Sequence, residues 1–109
     1  MKTMLLAAAL MTAVSATAVA AQPAARLSDS QFVKASRCKG LAKSEVLGAM
    51  DTAALDVLLK DNRRGRADHI VDKANTATDM AASEARRADE GRKAELIAER
   101  DGACRTFVQ

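Results

Sequence analysis

Few residues in this chain have the types and spacing to do chemistry: Asp68-His69 with Asp72, the pair Cys38 and Cys104, and the run Asn62-Arg63-Arg64-Gly65-Arg66. Asp68 and Asp72 would share one face of a helix, but His69 points about 100° away from Asp68. A zinc site needs three or four convergent ligands, so the histidine reads as incidental, and no metal or cofactor is expected. No Ser, Thr or Cys stands in a recognisable nucleophile–base setting; Cys104 and His69 would qualify only if the cysteines were unpaired. There is no glycine-rich phosphate loop or dinucleotide fingerprint. The residues point away from an enzyme.

The cysteines read as structure. An even pair in an oxidising compartment admits one intramolecular connectivity, Cys38–Cys104, and no Cys-x-x-Cys suggests a redox-active or metal-binding site. The bridge would close a loop of about 67 residues, for which chain entropy gives roughly 4 kcal/mol. Phe32 and Phe107, the only aromatic residues, flank the two cysteines, so the bridge would bring the largest side chains into one neighbourhood.

The arginine run is the densest positive cluster. Arg63, Arg64 and Arg66, with Lys60, would meet an anionic envelope surface or an acidic partner; cations at a helix C-terminus also complement its dipole while staying solvated. Nucleic acid is not an expected partner. The chain has 17 Lys+Arg against 14 Asp+Glu, no clustered basic face of the size duplex binding requires, and no Tyr or Trp to stack on bases.

What positions these residues begins with the address. Lys2, an apolar run from Met4 to about Val19, and Ala18-Val19-Ala20 ahead of Ala21-Gln22-Pro23 form the three parts of a secretory signal peptide. The run approaches the ~18 to 20 residues of a membrane span, but its Ala, Thr and Ser content favours cleavage, after Ala20 or Ala21. The expected organisation is a signal peptide over 1–21, a flexible spacer over 22–27 and one helical domain over 28–109, periplasmic or secreted. Its roughly 88 residues are near the size where a hydrophobic core alone yields only a few kcal/mol.

The domain reads as all-α, a small bundle of three to four helices with one disulfide. Ala, Leu, Lys, Arg and Glu abound, and no alternating β-branched segment occurs. A first helix starts at Ser28 or Ser30 and stops at Gly40. A second, capped by Ser44, places Val46, Leu47, Met50, Ala53, Ala54, Val57 and Leu58 on one continuous face, with Leu55 and Leu59 nearly opposite. That second side is either buried against another neighbour or a partner-facing patch. From Ala67, Ala74, Ala81 and Ala88 recur seven apart, with Ile70/Val71, Ala77 and Ala85 between, as a heptad-like alanine seam. An unbroken helix to Cys104 would be about 57 Å long, so a break is expected near Asp89-Glu90-Gly91. Continuity would instead make a homodimer the natural cover for the seam. The last helix carries Leu96, Ile97, Cys104 and Phe107 with Arg100 among them, an arginine that needs Asp29 or Asp56, or must reach water.

In plan alone, a short exported helical domain tied at its ends by one disulfide is similar to small periplasmic acid-stress chaperones and to some periplasmic immunity or inhibitor proteins. The expected function is binding of protein partners in the cell envelope, stress-responsive or chaperone-like. The alternatives are a dedicated inhibitor or regulator of an exported protein and an envelope-surface binder using the basic turn at 63–66. Candidate partner-binding residues are Leu55, Leu59, Arg63, Arg64 and Arg66.

Overall fold

The computed structural model of the chain describes residues 26–108, so the signal peptide expected at 1–21 and the first part of the spacer lie outside the described residues. The described residues form helices without a strand: α1 (Asp29–Lys43), α2 (Ala53–Arg63), α3 (Asp68–Arg87), α4 (Glu90–Asp101) and the single turn α5 (Arg105–Val108). None is long and apolar enough to cross a membrane.

The α1–α3 pair is the frame. Ser28 starts α1 with a reciprocal cap: its hydroxyl accepts from the Gln31 amide at 3.1 Å, and the Gln31 side chain accepts from the Ser28 amide at 2.9 Å. The helix does not stop at Gly40 but runs on to Lys43. Gly40 is where the two helices cross. A Cβ there would lie 2.8 Å from Ala81 Cβ and closer still to the Thr78 carbonyl oxygen, so the glycine serves backbone approach rather than termination. The Thr78 hydroxyl donates across the crossing to the Ser36 carbonyl at 2.8 Å. Ala74, Ala81 and Ala85 of the expected seam are buried, and α1 covers them.

The break between α3 and α4 falls at Ala88–Asp89, at the near edge of the expected position. Ala88 is extended (φ −70°, ψ 136°) and Asp89 caps α4, its carboxylate accepting from the Arg92 amide at 2.8 Å. The segment from Ala67 to Cys104 is therefore not one continuous helix, and the condition attached to a homodimer is not met.

The second helix departs most from expectation. Residues 44–52 are a loop, and α2 begins only at Ala53, whose amide donates to the Asp51 carboxylate at 2.9 Å. Arg100 explains why. Its Nη1 donates to the carbonyls of Leu47 and Gly48 at 2.7 and 2.8 Å, turning both away from a helical ladder, and Gly48 takes φ +85°, open to glycine at little cost. Arg100 thus finds backbone carbonyls rather than Asp29 or Asp56, which pair with Arg66 and Lys39.

The core joins Phe32, Leu41, Leu47, Leu55, Leu59 and Leu96 to the small residues of the α1–α3 crossing and to the disulfide. Phe107 and Ile97 pack on its edge, half-buried. Cys38 and Cys104 are bonded, with Cα atoms 5.6 Å apart, and both are buried.

Candidate functional site

Of the two readings of the Leu55 and Leu59 side of α2, burial is the one the structure has. Leu55 and Leu59 are 1% and 5% exposed, so they belong to the core and offer no patch to a partner. Most of the face expected to be buried looks outward instead: Val46, Met50, Ala53, Ala54 and Val57 are exposed, Val57 to 61%, while Leu47 of that face is buried and Leu58 packs half-buried on the core. Counting apolar positions favoured that face, but size decides. A buried leucine contributes roughly 2 kcal/mol and an alanine far less. Asn62, one helical turn beyond Leu59, completes the inward stripe: its Oδ1 accepts from the Leu27 amide and its Nδ2 donates to the Leu58 carbonyl, both at 2.9 Å. A buried amide so satisfied adds specificity at little cost.

The basic turn is also divided. Gly65 takes φ +70° and reverses the chain between α2 and α3. Arg66 then folds inward, its side chain only 4% exposed. It donates to the carbonyls of Asn62 and Leu27 at 2.8 Å each and to the Asp29 carboxylate at 2.6 Å, and its guanidinium lies 4.5 Å from the centroid of the Phe32 ring. Arg66 is a structural clamp and no surface handle, because each of its three guanidinium nitrogens donates to a protein acceptor and the side chain is buried. Arg63 and Arg64 remain exposed. Arg26 joins them, donating to the Arg64 carbonyl, so the expected spacer is anchored from Arg26 onward. Nothing in the spacing of the sequence signals that contact.

A second charged centre ties the C-terminal helices to the frame. Arg37 of α1 grips Glu99 of α4 with two bonds, at 2.7 and 3.1 Å, and reaches Glu84 of α3 at 2.8 Å. The bond to Glu99, followed by that to Glu84, pushes the guanidinium pKa further up against the opposing effect of burial, so Arg37 is charged at every working pH. On the other side of α1, Lys39 lies 2.9 Å from Asp56. Its ammonium, helped by the Thr52 hydroxyl, holds the Asp56 carboxyl below the usual carboxylate range despite partial desolvation.

Asp68, His69 and Asp72 are all exposed on the first turns of α3. Among the described residues no group of three or more His, Cys, Asp or Glu side chains is arranged to hold a metal ion. Two open grooves lie on the surface, one of about 460 Å³ beside the α3–α4 junction and one of about 400 Å³ between the end of α1 and α3. A space of about 50 Å³ lies against the disulfide, between Met50, Leu55 and Arg100.

Fold and site together define a class: a disulfide-stapled helical bundle whose ionic groups mostly hold helices together and which exposes the large apolar side chains of Val46, Met50 and Val57 along α2 and the loop before it, with Met80 apart from them on α3. No family model matches the chain, and no curated protein or solved structure is significantly similar to it.

Proposed function

We propose that this chain is an exported helical binding protein that acts without catalysis, engaging a protein partner in the cell envelope through the outward face of α2 and the loop before it. The observation that carries this reading is the exposure of Met50, Ala53, Ala54 and Val57 in the folded, oxidised protein, while Leu55 and Leu59 fill the core. An apolar helix face left in water at standing cost is a mark of a recognition surface. Its C-terminal end carries exposed Lys60 and Arg64, so the complementary partner presents an apolar strip with a carboxylate rim. Because the face is open without unfolding, the geometry favours a standing partner, as for a dedicated regulator, over a surface released only under stress.

Photo-crosslinking tests this directly. A photoreactive residue at position 54 should give one discrete adduct in the oxidised envelope, whereas one at position 76, exposed on α3, should give none. Val57→Lys should abolish the adduct while changing stability by no more than about 0.5 kcal/mol, as for other exposed positions. Equal labelling at 54 and 76, or an adduct indifferent to Val57→Lys, would remove the reading.

The chaperone-like alternative rests on a different feature. Leu96 is the only fully buried side chain of α4, so α4 and α5 form a thinly held arm over the core. If the arm opens before global unfolding, an apolar-surface dye should bind at urea concentrations where α1–α3 remain helical. A single coincident transition would exclude it.

A further inference from the structure

We infer that the end of the bundle formed by Arg26, Lys60, Arg63 and Arg64 docks on anionic phospholipid headgroups. All four side chains are exposed, and none makes an ion pair among the described residues, whereas Arg37, Lys39, Arg66, Arg92, Lys93 and Arg100 each hold a carboxylate. The contact of Arg26 with the Arg64 carbonyl brings together cations that lie 38 residues apart in sequence. Asp61 and Asp68, their exposed neighbours along the chain, leave this end with a surplus of positive charge.

The chemistry of the turn selects the occupant. From Lys60 to Arg66 there is no apolar side chain, and a protein interface of useful strength centres on buried aromatic or aliphatic anchors. A headgroup layer asks only for charge, and planar guanidinium groups match its phosphates with paired hydrogen bonds. The cations are also presented on a fixed platform. Arg66 and Asn62 bolt the turn to Leu27 and Asp29, so little conformational freedom is lost on docking.

The surface adjoins the outward face of α2 and shares Lys60 and Arg64 with it, but headgroup docking makes no use of Val57, so Val57→Lys separates failure of this proposal from failure of the protein-partner reading. With the oxidised protein as the cell exports it, sedimentation with vesicles of phosphatidylglycerol and phosphatidylcholine should show binding that vesicles of phosphatidylcholine alone do not give. Each cation near such a surface is worth about fivefold, so Arg26→Ala/Arg63→Ala/Arg64→Ala should weaken binding about a hundredfold. Lys60→Gln/Arg63→Gln, which leaves the Arg26–Arg64 contact in place, should weaken it about 25-fold. Lys73→Ala/Arg86→Ala/Arg87→Ala, removing equally exposed cations of α3, should leave it within about twofold. Binding should fall steeply with salt as screening shortens. Val57→Lys should bind vesicles at least as tightly as the parent does. Equal loss in the α3 variant, insensitivity to salt, or displacement by inorganic phosphate at constant ionic strength would overturn the proposal, the last by pointing to a free phosphate site.

Discussion

Reducing the Cys38–Cys104 bond is the most informative perturbation, because it removes no packing atoms. The bridge spans 66 residues, and the loop-entropy relation for that length gives about 4 kcal/mol at 25 °C. Domains of this size have totals of about 5–15 kcal/mol, so the reduced chain should sit near the edge of folding. The loss should be uneven. α1 and α3 keep their crossing at Gly40, whereas the arm retains Leu96, the grip of Arg37 on Glu99 and the bonds from Arg100. Urea unfolding of oxidised and reduced protein measures the total, and amide exchange measured by segment locates it. Residues 90–108 should lose protection first, and Cys38→Ala/Cys104→Ala should reproduce the reduced protein. A difference below about 1 kcal/mol with an unchanged urea slope would refute the argument, since chain entropy would then not govern this fold.

Gly40→Ala should cost about 1–3 kcal/mol in urea melts by forcing α1 off α3, whereas Gly91→Ala, with only Asp89 Oδ1 at 3.6 Å, should stabilise by about 0.5–1 kcal/mol. Arg66→Met should cost about 2–4 kcal/mol, because it leaves the carbonyls of Asn62 and Leu27 without their donor, while Arg64→Met should be close to neutral by the same melts. The lowered pKa of Asp56 makes its folded form bind a proton less readily than the unfolded chain. Its contribution should be complete above the ordinary carboxylate value of 3.8 and vanish as pH falls through the lower folded value. The stability gap between the parent and Asp56→Asn should accordingly close in acid titrations below pH 3.8, and a gap constant through that range would contradict the pairing with Lys39.

The all-helical class, the disulfide, the alanine seam and the break before α4 were legible because each rests on local composition or spacing. The errors at α1 and α2 have a common cause in tertiary contacts. Gly40 resembles a stop signal until the α3 backbone fills the space a side chain would take. Residues 44–52 look helical until Arg100, more than fifty residues later, claims two of their carbonyls. The orientation of α2 turned on side-chain volume and on the bond of Asn62 to Leu27, neither of which a helical wheel contains. At the basic turn, spacing identified the cluster but not which arginine would fold inward. That depended on Phe32, Leu27 and Asp29 waiting at the start of α1.

The separation of the two cysteines also sets a clock. Synthesis proceeds from the N-terminus at about 5–20 residues per second, so the Cys38 thiol exists for roughly 3–13 s before Cys104 has been made. Only over the last 17 residues of that interval, about 1–3 s at the same rate, are α1, α2 and α3 all complete in sequence, and the segment that will cover Leu55 and Cys38 is the last to be made. The covalent bond needs both thiols and an oxidising compartment, so it closes only on a chain that already contains the whole of α1, α2 and α3. Any other thiol encountered in those seconds competes for Cys38, and the arm that arrives last is what ends the exposure.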